Sequence, residues 1–246
     1  MSRPEKILIT IAILAGLVAV TAILFPHLCV VLWAKTSFSE AKQPELYRIP
    51  LEREVKPADY QVGKYFEFEH AGLITKTPWR DLVKRYRSDS VYKLTYVGEK
   101  SLIAIDNRQL PTFLETLNKE QFDSRRLDKI KDYYGVENII SNRSFFKLIL
   151  QTTPEEITFK TSADEAVAKT TLLVLKKALL GAHKTKNGDI YLIKTGNFTA
   201  FQYGNPEADK EVTIDVFGEE KNNWLLIVGN ATQEEIDYIL GSLAER

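Results

Sequence analysis

The stretch ILITIAILAGLVAVTAILFPHLCVVLWA, from Ile7 to Ala34, contains no Asp, Glu, Lys or Arg. An α-helix rises about 1.5 Å per residue, so residues 7–25 alone would cover a hydrocarbon core of roughly 30 Å. A cleaved secretion signal has a shorter apolar region of about 7 to 15 residues, and Leu32-Trp33-Ala34 is a poor cleavage site. We therefore predict an uncleaved transmembrane helix over residues 7–34 that contacts the lipid bilayer, with Pro26 marking a kink or its exit.

The charges that flank this stretch say little about its orientation. The tail of residues 1–6 carries two basic side chains, and residues 35–48 carry three. Basic residues are retained on the cytoplasmic side, and here their numbers nearly balance. The short tail is typical of a signal anchor, so we expect a cytosolic N-terminus and a domain on the exported side, periplasmic or extracellular.

Composition excludes some partners and some chemistry. Lys and Arg together number 33, as do Asp and Glu, so the net charge is zero. Nucleic acid binding needs a clustered positive excess, so we expect no nucleic acid partner. The only cysteine, Cys29, lies in the predicted anchor, so the rest of the chain has no disulfide and no thiolate metal site.

The chain after the anchor divides into a linker and a domain. Residues 35–60 are polar, contain three prolines and show no sustained period, so we predict a stalk. Residues 61–246 are predicted to form a soluble α+β domain, with a possible subdivision near residue 155.

The first part of this domain is predicted to be mixed. Alternation over residues 65–69 predicts a strand, and Thr77-Pro78 is typical of a helix start, so we predict a short helix to Tyr86. Residues 90–97 and 101–106 are predicted to form a hairpin around a Gly-Glu-Lys turn.

The middle of the domain is predicted to be helical. Apolar residues over 113–117 suit one helix, and a second is expected from a cap at Asp123 to Gly135. Ser141 is expected to cap a third helix over residues 142–150, whose crowded apolar side chains predict burial on more than one side.

The last third gives the clearest pattern. Ser162 to Glu165 fits a capping box that opens a core helix ending at Gly181. Four strand-like segments follow, separated by turn residues, and they predict an antiparallel meander (residues 189–195, 198–203, 211–217 and 224–228). A second capping box at Thr232 opens a terminal helix, so helix, antiparallel sheet and helix form an α+β sandwich.

Residues 162–243 resemble the PsbP-like α/β/α sandwich family. The segments that carry the resemblance are IYLIKTGNFTAFQYG, EVTIDVFG and WLLIVGNATQEEIDYILGSL, a meander followed by a capped terminal helix. The resemblance implies a binding or assembly module without enzymatic activity.

No catalytic, cofactor or metal site is predicted. Outside the anchor the histidines are His70, at the end of a strand, and His183, in a lysine-rich loop, and neither has a motif around it. Two isolated histidines do not make a zinc site, and no glycine-rich phosphate-binding motif occurs.

We therefore expect a single-pass membrane protein that acts by binding, most simply to another envelope protein. The predicted helix to Tyr86 offers a candidate interaction surface through Trp79, Arg80, Lys84 and Arg85, and the meander sheet offers another. A carboxylate-dependent hydrolase is one alternative, which a raised carboxyl pKa in a pocket would favour. A carrier of lipid or apolar ligand is another, which requires an empty cavity between the sheet and the helix after Ser141.

A further alternative is that basic clusters form patches that face anionic lipid headgroups. Three such clusters stand in the sequence, and each lies where an amphipathic helix must expose polar groups (Arg80, Lys84, Arg85 and Arg87; Arg125, Arg126, Lys129 and Lys131; Lys176, Lys177, Lys184 and Lys186).

Overall fold

One mixed sheet organises the computed structural model, which describes residues 26–56, 66–70, 72–106, 124–135, 141–183, 189–218 and 223–245. In the large sheet the strands stand in the order β1-β7-β8-β9-β10-β6-β5-β4. Its strands are β1 Leu51–Arg53, β4 Leu82–Arg87, β5 Val91–Tyr96, β6 Lys100–Asp106, β7 Ile190–Thr195, β8 Phe198–Tyr203, β9 Val212–Gly218 and β10 Asn223–Gly229.

The predicted meander and the predicted hairpin join in this sheet. Strands β7 to β10 pair antiparallel in sequence order, which confirms the meander. Strands β5 and β6 pair around residues 97–99, which confirms the hairpin. Because β10 also pairs with β6, a single sheet runs across the subdivision considered near residue 155.

A second sheet of three strands lies beside the large one in the described part of the chain, in the order β11-β3-β2. Its strands are β2 Phe66–His70, β3 Leu73–Thr77 and β11 Ala244–Glu245. The strand predicted over residues 65–69 corresponds to β2, whereas β3 and β11 were not predicted. The hydroxyl of Thr75 in β3 donates to the carbonyl oxygen of Ile239, which ties this sheet to the last helix.

The described α-helices cover both faces of the large sheet. They are α1 Pro26–Ser37, α2 Ser124–Tyr134, α3 Asn142–Gln151, α4 Ala163–His183 and α5 Gln233–Gly241, with two short 3₁₀ helices, η1 Pro44–Tyr47 and η2 Pro154–Glu156. The stripe of α5 packs on one face, and α1, α3 and α4 pack on the other. Strands β8 and β9 are therefore buried along their whole length. This arrangement is the mixed α+β class that the sequence predicts.

Several predicted helices are confirmed at their caps. Ser141 accepts the amide of Ser144 at the start of α3. Thr232 and Glu235 form the predicted capping box of α5. Helix α3 is buried on two sides, since Phe146 joins the cluster against the sheet and Phe145 joins a cluster with α2 and α4. The helix predicted over residues 113–117 and the cap at Asp123 lie outside the described residues.

The segment predicted as a stalk is, from residue 35 to residue 56, part of the folded domain. Phe38 and Leu46 are buried in the core, and β1 pairs parallel with β7. Arg53 donates to Asp237 at 2.7 Å, which fixes the segment to α5. The stalk prediction was wrong here because the few apolar residues of this segment pack into the core although their spacing has neither a helical nor a strand period.

The end of the predicted anchor also contacts the domain. Residues 26–34 lie in α1, whose Val31 and Ala34 pack into the core beside α4. Residues 7–25 lie outside the described residues. Within the described part, no helix has both the length and the apolar character needed to cross a membrane.

The helix predicted from Thr77 to Tyr86 is wrong. Thr77 ends β3, residues 78–81 form a connection, and residues 82–87 form β4, paired with β5. The apolar spacing of Leu82, Val83 and Tyr86 fits a helix, but over so few residues a helical period cannot be distinguished from a strand. The hydrogen bonds to β5 favour the strand.

Candidate functional site

Strand β4 lies at one edge of the large sheet and presents all six of its side chains to solvent. Among the described strands, only β5 pairs with it. Val83 is 65% exposed and Tyr86 is 54% exposed, so apolar surface remains open on this edge. An open strand edge carries unpaired backbone amides and carbonyls, which form a template for another strand.

Trp79 holds the start of this edge strand in place. Its side chain is 4% exposed, and its ring meets that of Tyr96 edge to face at 5.5 Å. The ammonium of Lys100 lies 5.6 Å from the centre of the same ring and bonds Glu235 at 2.8 Å. Trp79 is therefore a core residue that positions β4, and it does not belong to the exposed surface that it was predicted to form.

The edge strand is basic and irregular. Arg80, Lys84, Arg85 and Arg87 are all exposed, and the pairing with β5 shifts between Leu82 and Lys84, as in a β-bulge. Natural edges carry charges and bulges that discourage pairing with another copy of the same strand. Three of these residues, Arg80, Lys84 and Arg85, were predicted as an interaction surface for a protein partner. Arg87 was named only with the basic clusters, and the strand geometry was not predicted.

A second candidate site is a buried polar cluster under α4. The indole nitrogen of Trp224 donates to Oδ1 of Asp215 at 2.8 Å, and the Tyr203 hydroxyl lies beside the same carboxyl. His183 stacks on the Tyr203 ring with centroids 4.0 Å apart. Its Nε2 is 4.0 Å from Oδ2 of Asp215, and neither atom has a hydrogen-bond partner among the described residues.

Burial sets the protonation of this cluster. It raises the pKa of Asp215 to about 7, against the opposing effects of the Trp224 hydrogen bond and the nearby Tyr203 hydroxyl. Burial also lowers the pKa of His183 to about 4. Between these two values both groups are neutral, so the 4.0 Å approach is a contact of neutral groups.

The cluster lacks access for a substrate. Asp215 is 1% exposed and Tyr203 is fully buried, so no reacting group can approach the carboxyl. The raised carboxyl pKa is the feature that a hydrolase would need, but it arises here in a closed core. His183 ends α4 and does not lie in the surface loop where it was predicted. The signal for this cluster in the sequence was Asp215, an acidic residue inside the otherwise apolar strand β9.

The remaining histidine considered in the sequence, His70, and possible metal ligands give no further site within the described residues. His70 is 8% exposed and lies 5.7 Å from the ring of Tyr92, and burial lowers its pKa, helped by Arg87. No group of three or more His, Cys, Asp or Glu side chains that could bind a metal ion occurs within the described residues.

Lys176 is expected from the sequence to be an exposed residue of an amphipathic helix, and that prediction is wrong. The side chain is fully buried, and its Nζ donates to the carbonyl oxygens of Leu46, Arg48 and Thr152 at 2.7 to 3.1 Å. Burial lowers its pKa to about 8. The ammonium ties η1 to the end of α3, because each of these carbonyls lies at the end of a helical turn and needs a donor.

Aromatic rings pack between the sheet and α3, where a carrier would need a cavity. The ring of Phe146 lies 4.9 Å from that of Phe217 and 6.0 Å from that of Trp224. Phe201 stacks behind it at 6.5 Å. Among the described residues at this interface, the aromatic side chains pack against one another.

Comparisons with known proteins give no relative. No family model, no curated protein and no solved structure matches the chain. The resemblance of residues 162–243 to PsbP-like domains stays a prediction.

Proposed function

We propose that the chain is a membrane-anchored binding module without enzymatic activity, and that it takes an extended acidic segment of another envelope protein as an added strand beside β4. The observation that carries the proposal is the exposure of all six β4 side chains on an edge that pairs, in the described residues, only with β5. In strand addition, main-chain hydrogen bonds supply affinity and the flanking side chains supply specificity.

Charge supports an acidic partner over a second copy of the chain. Lys84, Arg85 and Arg87 follow one another along β4, and Lys93 lies opposite on β5. Two such edges would place like charges side by side, which disfavours self-pairing. An extended segment with Asp or Glu opposite Arg85 and Arg87 would gain charge-assisted hydrogen bonds.

The test is site-specific photo-crosslinking in the living source cell. A photoreactive amino acid at Val83 of the full chain, whose side chain is exposed and carries no charge, is expected to capture the partner. Arg85→Glu with Arg87→Glu is expected to lower the yield about tenfold, because two attractive charge pairs become repulsive. The exposed pair Lys147→Glu with Lys177→Glu, on α3 and α4, is the matched control and should keep the yield.

Hydrogen exchange on the captured pair then tests the geometry. Strand addition should slow exchange of the outward amides of residues 82–87, since they acquire hydrogen-bond partners. The proposal would be contradicted if the crosslinking yield were unchanged by the charge reversal, or if the exchange rates of these amides were unchanged in the captured pair.

We propose that the module is held at the membrane by the apolar run of residues 7–25, with its domain on the exported side. Two features support this: the run is long enough to span a hydrocarbon core, and α1 follows it directly and packs on the domain. The edge strand would then be presented to neighbouring envelope proteins.

A further inference from the structure

An apolar groove of about 380 Å³ lies between α1, α2 and α4. Its walls come from all three helices (Cys29, Val30, Trp33, Arg126, Val167, Thr170 and Thr171). Trp33 is 49% exposed, and its neighbour Leu32 is 50% exposed. The volume falls within the range of about 300 to 1,000 Å³ that is typical of small-molecule sites.

A buried hydroxyl in the groove has no hydrogen-bond partner within the described part of the chain. Thr171 donates to the carbonyl oxygen of Val167, the usual bond for a threonine inside a helix. Thr170, one position earlier, is 6% exposed, and its Oγ1 bonds to no described residue. A buried hydroxyl without a partner is unfavourable, so an acceptor supplied by a ligand would remove this cost.

Arg126 gives the groove a charged rim. Its side chain is exposed on α2, next to the apolar wall formed by Trp33 and Val167. A guanidinium beside an apolar groove is complementary to an amphiphile whose anionic head is joined to an apolar chain.

We propose that the groove binds one acyl chain of an anionic phospholipid. The chain would lie along Val30, Trp33 and Val167, the phosphate would meet Arg126, and the ester carbonyl would accept from Thr170. This lipid site rests on the proposed membrane span of residues 7–25. At about 1.5 Å per helical residue, Cys29 and Trp33 then lie only about 5 and 11 Å along α1 from Pro26, at the height of the lipid headgroups.

The single cysteine provides the assay, because Cys29 is exposed at the groove. The full chain is reconstituted in vesicles of phosphatidylcholine alone or mixed equally with phosphatidylglycerol, and the rate of Cys29 alkylation by N-ethylmaleimide is measured. The anionic vesicles are expected to slow alkylation about fivefold through occupation of the groove. Glycerol phosphate, the headgroup without chains, should give no protection.

Two variants separate a built site from general surface charge. Arg126→Gln is expected to abolish the slowing, whereas Arg125→Gln removes the same charge from the neighbouring position outside the groove and should retain it. Thr170→Val keeps the side-chain shape, removes the buried hydroxyl and should weaken the protection several-fold while the protein stays folded.

Three results would overturn the proposal. Equal slowing in Arg126→Gln and Arg125→Gln would assign the effect to the surface potential. Equal slowing of alkylation in both vesicle types would show that the groove does not recognise the anionic headgroup. Protection that increases with protein density in phosphatidylcholine alone would make a second copy of the chain the occupant.

Discussion

At the scale of single residues, Asp215 and His183 act on stability in opposite directions. Asp215 keeps its proton in the folded state up to about pH 7, so the free energy of unfolding falls as pH rises from about 4 to 7. His183 stays neutral when folded down to about pH 4, so the unfolded chain binds the extra proton and stability rises between about pH 4 and 6.5. In the wild-type chain the two effects largely cancel.

Asp215→Asn should reveal this balance. The amide stays neutral, and its oxygen can still accept from Trp224, so the variant should equal wild type near pH 4. At pH 8 it should be more stable by up to about 4 kcal/mol, with a rise between pH 4 and 6.5. Chemical denaturation at several pH values, on the full chain in mild detergent, measures the difference.

The exposed Asp128→Asn on α2 is the control for this series, and it should shift stability by no more than about 0.5 kcal/mol. A variant at position 215 that loses stability at pH 8 would mean that the charged carboxylate is stabilised there by an ion pair with protonated His183, contrary to the burial effects on both groups.

Lys176 is expected to stabilise the fold even though its charge is buried. Lys176→Met relieves the cost of charge burial but leaves three buried carbonyl oxygens without their donor, and the second effect is larger. We expect a loss of about 2 kcal/mol by thermal unfolding, against no significant change for the exposed Lys177→Met. Between about pH 8 and 10.5 the free energy of unfolding of wild type should rise relative to that of the variant, because Lys176 binds more protons in the unfolded chain there.

At the scale of elements, the end of β10 depends on Gly229. Its φ of +125° is unfavourable for other residues, and an added Cβ would lie 2.8 Å from Cα of Lys100, the first residue of the neighbouring strand β6. Because the neighbour is backbone, no rotamer change relieves the clash. Gly229→Ala should lower the free energy of unfolding by about 3 kcal/mol or more.

The matched change for that experiment is Gly181→Ala in α4, where a Cβ would meet nothing within 4 Å. Alanine favours helix over glycine by about 1 kcal/mol, so this variant should be at least as stable as wild type. If denaturant titrations give similar losses in the free energy of unfolding for both variants, the close backbone approach at Gly229 is not the cause of its loss.

Elements with their own local signals could be predicted from the sequence, and elements defined by remote partners could not. The capping residues Ser141 and Thr232 and the turns of the meander are local, so α3, α5 and β7 to β10 were predicted. Strand β1 has three residues and pairs with β7, far along the chain. Nothing in its own sequence indicates that partner, and the same holds for β4, where local periodicity favoured a helix.

The candidate sites divide in the same way. That Arg80, Lys84 and Arg85 are exposed followed from their charge. That Trp79 lies in the core followed only from its packing on Tyr96 and Lys100, which the sequence does not indicate. The approach of Asp215 to His183 depends on the register of β8 and β9 and on the length of α4, so it could not be predicted.

At the scale of the whole molecule, the topology can be tested directly. With a tag at Arg246, protease added to intact spheroplasts should digest the domain, because the proposed anchor places it outside the cytoplasm. Protection until the cells are lysed would reverse the orientation, and the acidic partner of β4 would then be sought in the cytosol.

The packing of α1 on α4 has a practical consequence for anyone who wishes to produce the domain by itself. A shortened protein that begins after Ala34 would lack Val31 and Ala34. The apolar surface of α4 that these residues cover would then be exposed, so the shortened protein should aggregate. A version that begins at Pro26 and carries polar residues in place of Leu32 and Trp33 keeps the buried half of the helix. It should stay dispersed in buffer without detergent.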